Sequence, residues 1–263
     1  MSSRVAQKEA ARQLRTAAEA QSNLRARQRL HRRRLIATLV AAAAVVVVAI
    51  AISSGRSSRL TASPGGRLSG AAFSSGLFAG IPQRGTVLGR ASAPVRLVEF
   101  ADLQCPYCDE YAVQALPSLV ANYVRQGKLQ MQFENLSFIG PDSVKAGRVA
   151  AAAAEQNRLW NFVDLLYLNQ GQENTGYVTA SYLHRLLAAV PALNVSAALR
   201  ASGTPAADGA LHQASQLAAE EGVTGTPTFL VGRTGRALRV FQPASLTAGP
   251  FESEINALLA GVP

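Results

Sequence analysis

One stretch near the middle of the chain constrains the fold most strongly, because it predicts two cysteines at the start of a helix. Apolar residues fill most positions of 95–101, a pattern typical of a strand buried on both faces. After a short polar break comes Cys-Pro-Tyr-Cys at 105–108, followed by a run with helical periodicity. Proline suits the first position of a helix, since its missing N–H needs no partner there. The sequence therefore predicts a buried strand, a tight loop and a helix that begins at Pro106.

The position of the first cysteine predicts unusual reactivity. A thiol at a helix N-terminus faces unpaired backbone N–H groups and the positive end of the helix dipole, and both favour the thiolate. Cys108 lies three residues after Cys105, so we interpret the pair as a redox dithiol. A structural disulfide is the alternative in an oxidising compartment, but a bridge closing so short a loop constrains little chain. His31, His184 and His212 are scattered along the sequence, so no metal site is expected.

Two further features fit a redox site. Glu99 precedes Cys105 by six residues in an otherwise apolar strand. If the carboxylate is buried beneath the cysteines, its pKa should rise, and it could relay the proton that Cys108 loses or gains. The alternative is an edge residue that faces water. Far downstream, Gly-Thr-Pro-Thr-Phe-Leu-Val at 225–231 predicts a strand that starts at Pro227, because a proline lacks the donor that a strand interior needs. The sequence leaves the isomer of this proline open.

The remaining patterns complete an α/β order. The helix that starts at Pro106 is predicted to reach residue 127, with a kink at Pro117, whose ring removes a backbone donor. A strand is predicted at 128–135. Further elements are predicted as helices at 142–156, 159–169, 179–189, 195–201 and 206–221, a hairpin at 226–241 and a closing helix at 250–259.

These features together resemble the thioredoxin superfamily. The Ala-rich helical stretch at about 141–222 is similar to the helical insertion of bacterial DsbA-type thiol:disulfide oxidoreductases. The resemblance covers roughly residues 84–262 and implies an α/β, thioredoxin-like fold with an inserted helical subdomain. The Pro-Tyr pair between the cysteines departs from the Pro-His of the strongest oxidases in that family. It resembles glutaredoxins, which have lower reduction potentials.

The resemblance also implies roles for individual residues. Cys105 is implied to be the nucleophile, Cys108 the resolving thiol and Glu99 the buried acid. Pro227 is implied to be a cis-proline opposite the disulfide, and the backbone of Thr226 to pair with an extended substrate segment. The residues expected to contact substrate are Pro106, Tyr107, Thr226 and Pro227.

Three functions are compatible with this pattern. The first is an oxidase that introduces disulfides into exported client proteins and is reoxidised by a quinone-linked membrane partner, as the resemblance implies. The second is a reductase or disulfide isomerase that uses the same dithiol. The third is a non-enzymatic sensor or binding ectodomain with a thioredoxin-like fold. No isomerase-type dimerisation domain is visible in the sequence before the predicted fold, which favours the first. No cofactor is expected.

The formal net charge of +10 is concentrated at the N-terminus. Residues 1–34 contain ten lysines and arginines and two glutamates, a net charge of +8, which leaves +2 for the remaining chain. A body this close to neutrality is not expected to bind nucleic acid. We interpret residues 1–34 as a basic cytoplasmic tail held near anionic lipid.

An uncharged segment follows this tail. Residues 35–52 would span about 27 Å as a helix, close to the ~30 Å hydrocarbon core of a bilayer. Because basic residues precede the segment, we expect a single-pass signal anchor in the cell membrane with a cytoplasmic N-terminus and an exported body. A cleaved signal peptide is the alternative. Residues 53–83, rich in Gly and Ser, are predicted to be a flexible linker, and residues 84–263 the DsbA-like thioredoxin domain.

Overall fold

The computed structural model describes residues 68–261. The predicted tail at 1–34, the predicted membrane anchor at 35–52 and the first part of the predicted linker lie outside these residues. Within residues 68–261, no helix is both long enough and apolar enough to cross a membrane.

A six-stranded mixed sheet forms the centre of the described part of the chain. Its strands are β1 (Gln83–Arg84), β2 (Val87–Leu88), β3 (Val95–Ala101), β4 (Leu129–Asn135), β5 (Thr228–Arg233) and β6 (Arg239–Phe241), in the spatial order β1-β2-β4-β3-β5-β6. The strand predicted at 95–101 is confirmed as β3, which pairs in parallel with β4 and antiparallel with β5. This central position explains why five of the seven residues of β3 are apolar, since both of its faces are covered.

Nine α-helices surround this sheet within residues 68–261. They are α1 (Ala71–Phe78), α2 (Pro106–Gln114), α3 (Leu116–Leu119), α4 (Pro141–Glu155), α5 (Leu159–Tyr167), α6 (Ala180–Ala189), α7 (Val195–Ala201), α8 (Pro205–Glu220) and α9 (Ala248–Leu259). Helices α4 to α8 lie between β4 and β5 in the sequence, which confirms the predicted helical insertion. The helix predicted at 106–127 is instead divided into α2, α3 and a π-helical turn, Val120–Val124, because Pro117 lacks the backbone donor that a continuous helix would use.

Trp160 on α5 links the insertion to the sheet. Its side chain is completely buried, and its ring lies 6.1 Å from that of Phe133 on β4, edge to face. The indole Nε1 donates a hydrogen bond of 3.0 Å to the carbonyl oxygen of Thr86. An aromatic ring with a satisfied N–H can be buried at little polar cost, so the contact fixes α5 against the sheet.

The prediction of a flexible linker as far as residue 83 is wrong, because α1 lies within it. Phe78 at the end of this helix is 3% exposed, and its ring centroid lies 6.4 Å from that of Trp160. Arg125 donates hydrogen bonds to the carbonyl oxygens of Leu77 (2.7 Å) and Ala79 (2.8 Å), near the helix C-terminus. A high content of Gly and Ser predicted flexibility, but a buried phenylalanine and satisfied terminal carbonyls make the segment part of the fold.

Candidate active site

The two cysteines lie at the start of α2, as predicted. Cys105 is the N-cap residue, with an extended backbone (φ −68°, ψ 121°), and Pro106 occupies the first turn. The carbonyl oxygen of Cys105 accepts the first helical hydrogen bond, 3.2 Å from the backbone nitrogen of Asp109. Both cysteines are free thiols in this structure; Cys105 is 4% exposed and Cys108 is completely buried. Both cysteines are therefore buried, and Cys105 is the more accessible of the two.

The segment before β5 approaches Cys105 from 121 residues away in the sequence. The Cys105 Sγ donates a hydrogen bond of 3.4 Å to the carbonyl oxygen of Thr226. The Thr226–Pro227 peptide bond is cis, as the resemblance implied, and β5 begins at the next residue, Thr228. The fold thus brings the motif at 105–108 together with the Thr-Pro pair.

The two thiols have opposite electrostatic surroundings. The hydrogen bond from the Cys108 side chain lowers the pKa of Cys105 to about 6, helped by the Thr226 side chain and by the backbone N–H groups of Cys108 and Tyr107, although burial opposes the shift. Burial, reinforced by the hydrogen bond to Cys105, raises the pKa of Cys108 well above its usual value. At neutral pH the sulfur at 105 is therefore a thiolate and the sulfur at 108 a thiol. Since the thiolate is the nucleophile, this arrangement favours Cys105 as the attacking sulfur.

Glu99 is buried in β3, which excludes the alternative of an edge residue in water. Its side chain is 2% exposed, and Oε1 has no hydrogen-bond partner among the described residues. Burial, and next the negative charge of Cys105, raises the pKa of Glu99 to about 8. The charge of Glu99 in turn contributes to the raised pKa of Cys108. A protonated carboxyl group near the second sulfur can act as an acid at neutral pH.

The four residues predicted to contact substrate surround the edge of the dithiol. Pro106 and Tyr107 are exposed, with Tyr107 at 62%, whereas Thr226 and Pro227 are half-buried. Their contact with substrate stays a prediction. Within residues 68–261, no group of three His, Cys, Asp or Glu side chains is placed to share a metal ion.

Asp102 is a site residue that the sequence analysis missed. It is completely buried between β3 and α2. Its Oδ1 accepts hydrogen bonds from the Gln104 backbone N–H (2.8 Å) and the Ser143 hydroxyl (2.6 Å), and its Oδ2 accepts from the backbone N–H groups of Phe138 (2.9 Å) and Ile139 (3.0 Å). The local bond to Gln104 is the Asx-turn pattern, which was a readable signal, because aspartate commonly bonds the backbone two residues on.

Side chains from the helical insertion also hold this loop. The Tyr167 hydroxyl, at the end of α5, donates a hydrogen bond of 3.1 Å to the carbonyl oxygen of Asp102. Gln170 Nε2 donates to the carbonyl oxygens of Leu103 (3.1 Å) and Cys105 (3.2 Å). The loop before the dithiol is buried, so its carbonyl groups need such partners. The insertion supplies them.

Comparison with known proteins agrees with this geometry. A family model described as thioredoxin matches residues 83–238, more than half of the chain. The probable disulfide bond formation protein D of Bacillus cereus is 38% identical over 98 residues, which cover 36% of this chain and 45% of that protein. The chain thus spans about half the length of that relative.

Solved structures share the fold. The crystal structure of oxidised BdbD from Bacillus subtilis matches with a TM-score of 0.60 and 21% identity, over 69% of this chain and 98% of that one. Wolbachia pipientis α-DsbA1 matches with a TM-score of 0.58 and 18% identity, over 67% and 92% of the two chains. The sheet, the cysteine motif at a helix N-terminus and the helical insertion therefore have one explanation: the chain belongs to the thioredoxin superfamily and has the fold of its DsbA-type members.

Proposed function

We propose that this chain is a thiol:disulfide oxidoreductase that introduces disulfides into exported proteins through Cys105 and Cys108. The observation that carries the proposal is the N-cap position of Cys105, with a pKa of about 6, in contact with Thr226 and backed by the enclosed Cys108. The name of the Bacillus cereus relative, a probable disulfide bond formation protein, supports the oxidising direction.

The reaction starts from the oxidised enzyme, in which Cys105 and Cys108 share a disulfide. A client thiolate attacks the sulfur of Cys105, so the bond between the two cysteines breaks and Cys108 leaves with the electron pair. A second client thiolate then attacks the client sulfur of this mixed disulfide and releases Cys105 as a thiolate. The client loses two electrons and the enzyme gains them as a dithiol. The low pKa of Cys105 makes it a good leaving group and stabilises the reduced form.

Glu99 has the role of proton carrier in this scheme. The departing Cys108 needs a proton, because burial strongly disfavours a thiolate at its position. Glu99 holds a proton at neutral pH, since its own pKa is raised to about 8. It can therefore supply the proton when the enzyme is reduced and recover it when the dithiol is reoxidised.

Client binding in this proposal uses the surface beside Cys105. Tyr107 and Pro106 are exposed there, and the main chain of Thr226 lies next to the reacting sulfur. An extended client segment that pairs with Thr226 would place its cysteine against Cys105. Main-chain pairing accepts many sequences, which suits an enzyme with varied clients.

The equilibrium reduction potential of the purified protein in glutathione buffers tests the direction of the reaction. An oxidase is expected to have a potential above about −200 mV. A potential below about −230 mV would instead assign the dithiol to reduction, the second candidate, which the glutaredoxin-like Pro-Tyr pair favours. An isomerase would be recognised by its ability to rearrange scrambled disulfides.

Two variants test the assigned sulfur roles. Cys105→Ser should abolish exchange, because the more accessible of the two sulfurs, the nucleophile and leaving group of the scheme, is then lost. Cys108→Ser should accumulate mixed disulfides with clients in cells, since the resolving thiol is lost. If non-reducing gels of cells that produce Cys108→Ser show no clients trapped as mixed disulfides, these roles are contradicted. A Cys105 of ordinary thiol pKa that turns over no reduced substrate would favour a sensor or binding ectodomain.

The proposed location is the outer side of the cell membrane, with residues 35–52 as the anchor. The charge difference across this segment supports a cytoplasmic N-terminus. A quinone-linked membrane protein is the proposed reoxidising partner. In intact cells, a thiol reagent that cannot cross membranes should label Cys105, and deletion of 35–52 should release the protein from the membrane fraction. Labelling only after cell lysis would contradict this location.

A further inference from the structure

Asp102 connects two parts of the molecule that are distant in sequence. Of the four donors to its carboxylate, the Gln104 N–H belongs to the same loop. The other three belong to residues 138–143, the segment that leads from β4 into α4, the first helix of the insertion. The side chain of Asp102 therefore holds the start of the helical insertion.

The main chain of Asp102 contacts the dithiol, in addition to accepting the hydrogen bond from the Tyr167 hydroxyl. Its carbonyl oxygen accepts a hydrogen bond of 3.0 Å from the backbone nitrogen of Cys105. A main-chain hydrogen bond from Asp102 also reaches Cys108, where it favours the thiolate. One residue thus contacts both cysteines through its backbone and the insertion through its side chain.

We propose that Asp102 is a positioning residue for thiol–disulfide exchange, which fixes the dithiol by anchoring the loop before α2 to the helical insertion. The proposal rests on the proposed function only in requiring that Cys105 is a reactive thiol. Asp102 does not touch the substrate in this proposal. Its effect passes through the main chain that sets Cys105 at the N-cap of α2, where the N–H groups of Tyr107 and Cys108 meet the sulfur.

The chemistry of the four donors requires a carboxylate. An asparagine at 102 would have one oxygen and one NH₂ group, and the NH₂ would face donors in either orientation. At the Oδ2 position it would meet the N–H groups of Phe138 and Ile139. At the Oδ1 position it would meet the N–H of Gln104, and the Ser143 hydroxyl already accepts a hydrogen bond of 2.9 Å from Gln104 Nε2. An amide therefore cannot replace the carboxylate without loss.

A second buried side chain supports the same connection. Gln104 is completely buried, its Nε2 donates to Ser143, and its Oε1 accepts a hydrogen bond of 2.8 Å from the backbone nitrogen of Asn174. Residues 102 and 104 thus both use their side chains to hold the insertion. The titratable groups that act on the sulfurs, besides the two cysteines themselves, are Glu99 on β3 and Tyr167 on α5. Asp102→Asn leaves Glu99 in place but removes a negative charge that acts on Tyr167, whose hydroxyl bonds the Asp102 carbonyl oxygen. Loss of a nearby negative charge favours the thiolate, so a rise in the pKa of Cys105 would report lost alignment and not lost charge.

The test is the pH dependence of the alkylation rate of Cys105 in the reduced, purified protein. In Asp102→Asn the midpoint of this profile should rise by about one pH unit, because the N–H groups that donate to the sulfur of Cys105 lose their alignment. At acidic pH the fraction of Cys105 present as thiolate should then be about tenfold lower. Ser143→Ala removes one donor and touches neither sulfur, so it should give a smaller rise in the same direction. Asp142→Asn is the control: Asp142 is also buried in α4, but its carboxylate pairs with Lys145 and accepts from the backbone N–H of Val178, and among the described residues it has no hydrogen bond with the loop.

The outcomes separate positioning from stability and from the proposed function. A shift in Asp102→Asn and Ser143→Ala, with none in an equally destabilised Asp142→Asn, supports the proposal. A native profile in folded Asp102→Asn overturns it. If Asp102→Asn does not fold, Ser143→Ala decides, and an unshifted profile there overturns the proposal. A wild-type midpoint near the ordinary thiol value of about 8.5 would instead overturn the proposed function.

Discussion

Glu99 and Asp102 lie three residues apart at the end of β3, and both are almost completely buried, but their carboxylates have opposite surroundings. Oε1 of Glu99 has no partner among the described residues, whereas the carboxylate of Asp102 accepts four hydrogen bonds. Glu99 lies inside β3, where the sheet uses the neighbouring N–H groups to pair strands. Asp102 lies just beyond the strand, where loop N–H groups need acceptors. Strand and loop thus give two buried acids different surroundings, which suit the proposed tasks of proton transfer for Glu99 and anchoring for Asp102.

The largest change in the free energy of unfolding is expected when the carboxylate of Asp102 is removed. Asp102→Ala leaves four donors without an acceptor, so the free energy of unfolding should fall by about 4 kcal/mol, given ~1–3 kcal/mol for each buried unsatisfied group and partial relaxation. Urea unfolding followed by circular dichroism measures the loss. A loss below about 1 kcal/mol would show that water or other groups replace the carboxylate, and the contrast with Glu99 would fail.

Replacement of Glu99 is expected to raise the free energy of unfolding, whereas replacement of Asp102 lowers it. Its folded-state pKa of about 8 lies above its ordinary value of 4.5, so the folded protein loses stability as pH rises between these values. Glu99→Gln, which stays neutral, should therefore raise the free energy of unfolding at pH 7 by about 3 kcal/mol and remove this pH dependence.

The same variant should slow proton-coupled exchange near neutral pH, because glutamine cannot carry the proton. Unfolding curves at pH 5 and pH 8, together with the pH–rate profile, measure the two effects. An unchanged pH–rate profile would remove the proton-carrier role from Glu99. Unchanged stability at pH 8 would mean that the carboxyl group is less desolvated than its position indicates.

Asp164 on α5 has a raised pKa like that of Glu99, but the shift is smaller. It is 2% exposed and its Oδ2 has no partner among the described residues, but a hydrogen bond from the Ser74 side chain partly offsets the burial that raises its pKa to about 6. Stability should therefore fall as pH rises from about 4 to about 6. Asp164→Asn should gain about 3 kcal/mol at pH 7 and less than about 1 kcal/mol at pH 4. Thermal unfolding at both pH values measures this, and a destabilised variant at pH 7 would contradict it.

Local chemistry made much of the site predictable. Three features determine structure only within a few residues of themselves: the apolar run of β3, the proline after Cys105 and the proline before β5. A short window of sequence was therefore enough to predict the strand, the helix start and the strand start. The anchoring role of Asp102 was not predictable in this way. Three of its donors come from residues 138, 139 and 143, and only the folded chain brings them to the loop.

Helix α1 illustrates the same limit for the fold. Its segment is rich in Gly and Ser and has a weak helical pattern, so composition predicted a linker. The helix is stabilised by tertiary contacts, in particular between Phe78 and Trp160, and by Asn169, whose side chain bonds the backbone nitrogen (2.7 Å) and oxygen (3.0 Å) of Ser69. Short helices depend on such packing more than on intrinsic propensity.

Whether the carbonyl oxygen of Thr226 accepts a hydrogen bond from Cys105 depends on whether the sulfur is protonated. A thiol can donate to the carbonyl oxygen of Thr226, as it does here at 3.4 Å, but a thiolate or a disulfide sulfur has no hydrogen to offer. Oxidation or ionisation of Cys105 therefore leaves this oxygen open to an amide of an arriving polypeptide. Because the pKa of Cys105 is about 6, the sulfur leaves this oxygen open at neutral pH even in the reduced protein, and it occupies the oxygen only at more acidic pH.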